Sequence, residues 1–305
     1  MEKVKIKCPA SLSNLVCGYD IFGMALQEPY DILELSISDD QKIKIIHLDD
    51  YQLSEEPEKN IAGVVLAALQ KDRKLQNGFN VSITKQIKPG SGLGSSAASA
   101  AGAIVAANIL LNLNLTKQEL LHYAMEGEKF ASGARHADNI APIIYGGLTL
   151  IRDAATFDVI KIDSPALYIT VIHPQVEIKT SYARKILPSQ VPLGDAVRQW
   201  ANTAALVAGF YTNNYDLIGR SMVDLIIEPV RSKLIPYYQE VKSACLETGV
   251  LGGGISGSGP SIFMFSTDYA TAQKAEQAMI NVYSSTGIDY KTYLTTVNNS
   301  GITII

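Results

Sequence analysis

Cysteine, excess charge and long apolar runs are all scarce in this sequence, and each shortage excludes a class of protein. The three cysteines, Cys8, Cys17 and Cys245, are odd in number and have no Cys-x-x-Cys spacing, which argues against a disulfide framework or a zinc site. The net charge of −4 gives no electrostatic reason to expect nucleic acid or an anionic membrane as a partner. No apolar run reaches the roughly 20 residues of a membrane span, and the N-terminus lacks a signal-peptide pattern. We therefore expect a cytoplasmic protein with neither a nucleic-acid nor a membrane partner.

The length of 305 residues predicts about two domains, each large enough for its own core. Residues 39–60 are polar and acidic, which predicts an irregular and mobile segment. Residues 152–164 are polar and turn-rich, whereas residues 168–172 have the β-branched character of a strand. We therefore expect a first domain over residues 1–164 and a second over residues 165–305.

A glycine-rich stretch at residues 89–99 is the strongest local signal. Gly90, Gly92 and Gly94 alternate with other residues, and glycine lets the backbone curve tightly and approach a ligand closely. The apolar residues 100–111 predict a helix, so the stretch opens onto a helix N-terminus, where unpaired N–H groups and the helix dipole favour phosphate. It is not a Walker A loop, because no Lys-Ser or Lys-Thr pair closes it. The pattern predicts a polyphosphate site.

The first of three motifs is Pro-Ala-Ser-Leu-Ser-Asn-Leu-Val-Cys-Gly-Tyr-Asp at residues 9–20. The second is Gly-Ser-Gly-Leu-Gly-Ser-Ser-Ala-Ala-Ser at 90–99, and the third is Gly-Gly-Gly-Ile-Ser-Gly-Ser-Gly-Pro at 252–260. All three resemble motifs of the GHMP small-molecule kinases and occur in the family's order. The resemblance implies an α+β, two-domain fold, with a ribosomal S5 domain 2-like N-terminal domain and a ferredoxin-like C-terminal domain. It also implies ATP as a ligand, with Asn60 at the adenine. The loop residues expected to bind ATP are Pro89, Gly90, Ser91, Gly92, Leu93, Gly94, Ser95, Ser96, Ala97, Ala98 and Ser99.

A fourth stretch narrows the resemblance. Residues 131–142 contain His136, Asp138 and Asn139, and closely resemble the His-Ala-Asp-Asn segment of the branch of GHMP kinases that acts on homoserine. The resemblance implies ATP-dependent phosphorylation of the side-chain hydroxyl of L-homoserine to O-phospho-L-homoserine, a step of threonine biosynthesis.

The same branch implies a Mg²⁺ site. Its metal-binding glutamate precedes the final Asn of the segment by eleven residues, and that position is Glu128 here, with Glu126 as the alternative. Mg²⁺ prefers few carboxylates and keeps several waters, so Glu128 with the loop hydroxyl of Ser96 is a sufficient protein ligand set.

The acceptor site also follows from the resemblance. Asp20 is expected to bind the substrate ammonium group and Asn14 the hydroxyl. Arg184 and Arg231 are expected to bind the carboxylate, because planar guanidinium groups hold carboxylates in a two-pronged geometry. The full set of expected substrate-binding residues is Asp20, Asn14, His136, Asn139, Thr180, Arg184 and Arg231.

The resemblance also bears on how the acceptor hydroxyl loses its proton. Mevalonate-type relatives place an aspartate near the acceptor hydroxyl, whereas the matching residue here is Asn139, which takes no proton at neutral pH. We expect Asn14 and Asn139 to orient the hydroxyl and Glu128 to act through the metal, without a dedicated strong base. Asp138 and His136 are the rival bases.

Two other functions stay open at this point. The chain could be another GHMP kinase that phosphorylates shikimate, mevalonate or a sugar, although such a substrate leaves Asp20 without an ammonium partner. It could also be a non-catalytic sensor that binds ATP and transfers nothing. Because two-domain relatives commonly dimerise, we expect a homodimer.

Overall fold

The computed structural model of the chain describes residues 2–133 and 136–305. Its strands are β1 (Lys3–Ser13), β2 (Phe22–Ser38), β3 (Ile43–His47), β4 (Gly78–Thr84), β5 (Leu148–Asp153), β6 (Asp158–Ile162), β7 (Tyr168–Pro174), β8 (Gly252–Ile255), β9 (Ile262–Ser266), β10 (Tyr290–Thr296) and β11 (Thr303–Ile304). Its helices are α1 (Ile61–Arg73), α2 (Ser95–Leu110), α3 (Lys117–Ser132), α4 (Ile140–Tyr145), α5 (Thr180–Lys185), α6 (Leu193–Thr212), α7 (Tyr215–Ser221), α8 (Glu228–Arg231), α9 (Tyr238–Leu246) and α10 (Tyr269–Tyr283).

The first sheet has the strand order β11-β1-β2-β4-β3, and β5 and β6 extend it from the start of β2. Its pairs are antiparallel except β3 with β4, which run parallel. Helix α2 packs on β1 and β2, and also contacts α1 and α3. The alanines of α2 permit this close packing, and a Cβ on Gly102 would lie 2.6 Å from Sγ of Cys8. The sheet thus places the start of α2 beside the end of β1.

The second sheet has the order β10-β7-β9-β8, with every neighbouring pair antiparallel. Counted along the chain within this sheet, the order is 4-1-3-2, which is the ferredoxin-like arrangement that the sequence analysis predicted. Helices α9 and α10 cover it, and the core between them includes Ile172, Val241, Met264 and Met279. Helices α5 to α8 lie in the connection between β7 and β8.

Residues from both sides of the predicted boundary at residue 164 pack against each other. Leu206 and Phe210 of α6 belong to the same buried cluster as Phe22 of the first sheet. The last strand returns to the first sheet, where Ile304 pairs with Ile6. The division into residues 1–164 and 165–305 stays a prediction, and the chain crosses it at the C-terminus.

Two expectations about local structure were wrong. Residues 39–60 contain β3, and residues 152–164 contain β6, both within segments that the sequence analysis treated as irregular. Helix α3 begins with a capping box, in which Thr116 Oγ1 accepts from the backbone N–H of Glu119 and the Glu119 carboxylate accepts from that of Thr116. Among the helices of residues 2–133 and 136–305, none has the length and apolar character needed to cross a membrane.

Candidate active site

The glycine-rich stretch forms a loop at the N-terminus of α2. Gly90, Gly92 and Gly94 have φ values of 77°, 80° and 72°, in the left-handed region that favours glycine. Gly94 is the N-cap residue of α2, and glycine has no side chain with which to cap the first-turn amides. The amides at the start of α2 therefore remain available to an anionic ligand.

The other two family motifs hold this loop in place. From the first motif, the backbone N–H of Ser11 donates to the carbonyl of Leu93 at 3.0 Å. From the third, the hydroxyl of Ser256 donates to the carbonyl of Gly92 at 2.6 Å. The hydroxyl of Ser261, the residue that follows this motif, donates to the carbonyl of Ser91 at 2.7 Å. Segments about 80 and 160 residues from the loop thus set its shape.

The predicted metal ligands lie together at the edge of the loop. Ser96 Oγ donates to Oε2 of Glu128 at 3.2 Å, so one hydroxyl and one carboxylate converge beside the phosphate loop. Glu126 and Glu128 both make further interactions. In the described part of the chain, no cluster of three or more Asp, Glu, His or Cys residues could enclose a metal. The donor set fits Mg²⁺, which needs only one or two protein ligands when phosphate oxygens and waters complete its shell.

Asp20 and Arg184 form an ion pair on the opposite side of the cleft. Arg184 Nη1 and Nη2 donate to Oδ2 and Oδ1 of Asp20 at 2.9 and 2.8 Å, the two-pronged geometry of a strong charge-assisted pair. The backbone N–H of Asp20 donates to Asn14 Oδ1 at 3.0 Å, and Asn14 Nδ2 donates to the carbonyl of Gly257. Asn14 therefore connects the first motif to the third.

Arg231 lies beside this pair and is almost fully buried. It donates to the carbonyls of Ala183 and Gly257, at 3.3 and 2.8 Å. The guanidinium carbons of Arg231 and Arg184 lie 5.0 and 5.3 Å from the ring centre of Tyr19, so one aromatic ring supports both cations. Burial raises the pKa of Tyr19 above its usual range, so its phenol stays neutral. The cleft thus presents two arginines together.

Asn139 lies between the loop and the first motif. Its Oδ1 accepts from Ser11 Oγ at 2.8 Å, and its Nδ2 donates to Ser13 Oγ at 3.0 Å. A Cβ on Gly94 would lie 3.2 Å from Asn139 Oδ1, so the amide is close to the phosphate loop. The two serines fix the orientation of the Asn139 amide.

His136 and Asp138, the two rival bases, also line the cleft. Burial lowers the pKa of His136 below its usual range, so the imidazole is neutral near pH 7. Its Nδ1 lies 3.4 Å from Arg184 Nη2 and 3.9 Å from Asp20 Oδ1. Burial, with a contribution from Asp20, raises the pKa of Asp138 to about 7. Counting partners within the described residues, Oδ1 of Asp138 is buried without a hydrogen bond.

One cleft brings together most of the predicted residues. Those that line it are Asn14, Asp20, Pro89, Gly90, Gly92, Gly94, Ser95, Ser96, Ser99, Glu128, His136, Asn139, Thr180, Arg184 and Arg231. Thr180 is the first residue of α5, and its hydroxyl lies 3.2 Å from that of Ser258. Ala134 and Arg135 of the 131–142 segment lie outside the described residues.

Some predicted ATP-binding residues are set back from the cleft. Leu93, Ala97 and Ala98 are buried in the core, and Ser91 is buried behind the loop. Asn60 caps α1, where its Oδ1 accepts from the N–H groups of Ala62 and Gly63. Its Nδ2 bonds to His47 Nε2 and to the carbonyl of Ser54, so its side chain is already engaged. The adenine contact of Asn60 stays a prediction.

A buried ion pair that the sequence did not predict lies beneath the loop. Lys85 Nζ donates to Asp31 Oδ2, and also to the carbonyl of Ser95 at 3.0 Å and to Ser99 Oγ at 2.9 Å. Both charged side chains are about 2 to 3% exposed. The pair ties β2 and the end of β4 to the first turn of α2, and only the position of Lys85 shortly before the glycines could have suggested it.

Family models match both halves of the chain. The model of the GHMP kinase N-terminal domain matches residues 60–147, and that of the GHMP kinase C-terminal domain matches residues 204–285. The chain therefore belongs to the GHMP kinase family, as its motifs predicted.

Several relatives within this family carry the same specific name. Homoserine kinase of Chloroherpeton thalassium is 44% identical over 292 residues, covering 92% of this chain and 92% of its own length. Homoserine kinase of Methanococcus vannielii is 43% identical over 266 residues, covering 86% and 87%. The crystal structure of homoserine kinase from Cytophaga hutchinsonii superposes with a TM-score of 0.96 at 43% identity, covering 100% of this chain and 98% of that one. Mevalonate kinase of L. major shares the fold, with a TM-score of 0.76 at 16% identity and coverage of 97% and 98%.

Proposed function

We propose that the protein transfers the γ-phosphoryl group of ATP to the side-chain hydroxyl of L-homoserine, giving O-phospho-L-homoserine for threonine biosynthesis in the cytoplasm. The observation that carries this proposal is one cleft with a phosphate loop on one side and Asp20, Arg184 and Arg231 on the other. An α-amino acid brings one ammonium and one carboxylate, which match that charge set. The relatives named homoserine kinase support the same substrate.

The ATP half of the proposal uses the loop and its two neighbours. The first-turn amides of α2 receive phosphate oxygens, and Ser96 with Glu128 holds Mg²⁺. When held by Ser96 and Glu128, Mg²⁺ would reduce the charge on the transferred phosphoryl group. Ile61 and Leu53 line the cleft as an apolar flank for the adenine, next to Asn60.

The acceptor half places the hydroxyl at the two asparagines. Asp20 binds the ammonium group, and Arg184 and Arg231 bind the carboxylate, with Thr180 and His136 at the edges of the site. Asn14 and Asn139 then align the hydroxyl with the γ-phosphate, and positioning supplies most of the rate acceleration.

No side-chain base is assigned in this mechanism, and the hydroxyl proton leaves late, to a phosphate oxygen. Two results would contradict this assignment. The first is a large gain in turnover for Asn139→Asp, which would mean that a carboxylate at this position accelerates the step. The second is complete loss of turnover for Asp138→Asn with unchanged binding of both substrates.

The test is ADP release with ATP and Mg²⁺ against L-homoserine, D-homoserine, L-serine, shikimate, mevalonate and galactose. Selective turnover of L-homoserine is expected. Turnover of another alcohol would keep the kinase assignment and reject the acceptor site. ATP binding without turnover of any alcohol would favour the sensor.

We also propose a homodimer that uses the outer face of α6. Leu193, Val197 and Trp200 lie one turn apart on this helix and are 71%, 51% and 62% exposed, which is unusual for large apolar side chains. Sedimentation equilibrium should give twice the monomer mass, and Trp200→Glu should shift it toward the monomer. A wild-type monomer at micromolar concentration would reject the dimer.

A further inference from the structure

We propose that the Asp20–Arg184 ion pair closes the acceptor site before substrate binds and makes the site selective for zwitterions. An acceptor binds well only if its ammonium replaces Arg184 at Asp20 while its carboxylate replaces Asp20 at Arg184. This inference rests on the proposed function and adds a physical reason for its selectivity.

The pair occupies the atoms that the substrate needs. Both carboxylate oxygens of Asp20 accept from Arg184, at 2.8 and 2.9 Å, and both residues line the cleft. Their side chains are 32% and 35% exposed, so a ligand in the cleft can reach them. The two charges therefore neutralise each other where ligand charges are expected to bind.

Arg184 has no second accessible pair of N–H donors with which to bind a carboxylate. Its Nε is closed to solvent and, counting the part of the chain that is described, has no acceptor. The exposed part of the guanidinium is thus the Nη1 and Nη2 end, which already faces Asp20. Two other residues border the guanidinium group. The ring centre of Tyr19 lies 5.3 Å from its central carbon, and His136 Nδ1 lies 3.4 Å from its Nη2. A carboxylate must displace Asp20 to bind in the two-pronged geometry.

Arg231 differs from Arg184 in its partners. Its hydrogen bonds go to the carbonyls of Ala183 and Gly257. It shares the Tyr19 ring with Arg184. Burial is the main cause that lowers the pKa of Arg231 below its usual range, and repulsion from Arg184 lowers it further. Asp20 is therefore the carboxylate that balances two neighbouring cations, and its release is costly unless another anion takes its place.

Exchange is favourable only for a ligand with both charges. A zwitterion breaks one ion pair and forms two. A ligand with a carboxylate alone breaks the same pair and leaves Asp20 without a cation, which offsets part of its binding energy. The proposal thus predicts an inverted effect: removal of the Asp20 charge should improve binding of an acceptor that lacks the ammonium group.

The test uses 4-hydroxybutanoate, which has the hydroxyl and the carboxylate of homoserine but no ammonium group. Dissociation constants are measured by isothermal titration calorimetry. Asp20→Asn should bind 4-hydroxybutanoate about fivefold more tightly than the wild type, the upper range for an ion pair of this exposure. The same variant should bind L-homoserine at least about tenfold more weakly, because it loses a charge-assisted partner.

A double-variant cycle separates pair release from a general change in the electric field. In an Arg184→Gln background, Asp20→Asn should improve the binding of 4-hydroxybutanoate by clearly less than fivefold, because the hydrogen-bonded pair is gone and only the longer-range effect of the Asp20 charge on Arg231 and on the ligand remains. The same fivefold gain with and without Arg184 would overturn the proposal, as would no gain in the single variant. Unchanged ATP affinity and a cooperative thermal unfolding transition establish that each variant is folded.

The proposed function is tested separately. Absence of L-homoserine turnover by the wild type would reject the function. Normal turnover by the wild type, together with no gain of 4-hydroxybutanoate binding in Asp20→Asn, would reject the ion-pair proposal alone.

Discussion

The substitution Gly94→Ala perturbs the phosphate loop at the point where it touches the first motif. Gly94 has a φ of 72°, and a Cβ built on it lies 2.1 Å from Ser11 Oγ. Gly90 is a matched control, since its φ is 77° and, among the described residues, no atom lies within 4 Å of its Cβ position. An alanine at either position costs about 1 kcal/mol of backbone strain, and only Gly94→Ala adds a collision.

The collision determines the expected magnitude. The distance of 2.1 Å is roughly 1 Å shorter than real Cβ contacts allow, so the loop or Ser11 must move by that much. Ser11 cannot move alone, because its hydroxyl holds Oδ1 of Asn139 at 2.8 Å and its N–H holds the carbonyl of Leu93. A displacement of this size at reacting groups can cost about 100-fold in rate, so kcat/KM for ATP should fall by that factor. Gly90→Ala should stay within about fivefold of the wild type, the equivalent of its strain.

Steady-state kinetics with varied ATP measures both variants, and a double variant tests the cause. Ser11→Ala removes the colliding oxygen and leaves Cβ of residue 11 at 3.4 Å, an ordinary contact. Because Ser11→Ala also removes a partner of Asn139, the comparison is made within each background: Gly94→Ala should lower kcat/KM less in a Ser11→Ala background than in the wild type. The collision is refuted if Gly94→Ala is no worse than Gly90→Ala, or if Gly94→Ala costs the same factor with and without the Ser11 hydroxyl.

Three further predictions follow from the site. Ser96→Ala should raise the Mg²⁺ concentration for half-maximal activity about tenfold at fixed ATP, because one metal ligand is lost; an unchanged Mg²⁺ titration would remove Ser96 from the site. Burial raises the pKa of Asp138 from 3.8 to about 7, so between these pH values the folded protein keeps a proton that the unfolded chain releases. The free energy of unfolding, measured by urea titration, should therefore fall as pH rises from about 4 to about 7. Asp138→Asn should make that fall smaller. Lys85→Met should lower the free energy of unfolding by about 3 kcal/mol, because Asp31 stays buried without its cation. The matched control Lys3→Met removes the exposed ion pair with Glu34 and should lower the free energy of unfolding by less than about 1 kcal/mol.

The sequence predicted elements with local signals well. The helix predicted over residues 100–111 depends on apolar residues a few positions apart, and α2 covers all of that range except its last residue. Strand β3 was missed because its stability comes from a parallel pairing with β4, more than 30 residues away. Only Ile45 of that strand is fully buried, so the alternation that predicts a strand is weak.

The site shows the same division. The motifs identified the residues that line the cleft, because glycine loops and clustered polar residues are visible in a sequence. The partners that orient them were not visible. Ser11 and Ser13 belong to the first motif, but the motif gave them no role; they become positioning residues because α4 begins at residue 140 and brings Asn139 beside them. Lys85 resembles any strand-end lysine until the fold buries it against Asp31.

The two ends of the acceptor site differ in how firmly the protein holds them. Both polar ends of Asn139 are bonded to serines, and both ends of Asn14 are bonded to the backbone of Asp20 and Gly257. An amide NH₂ has a second hydrogen and its oxygen a second lone pair, so a substrate hydroxyl can bond there without displacing a protein partner. Arg184, by contrast, must exchange its carboxylate partner. Changes at the ion pair should therefore act mainly on KM of the acceptor, whereas loss of the serine hydroxyls that fix Asn139 should act mainly on kcat.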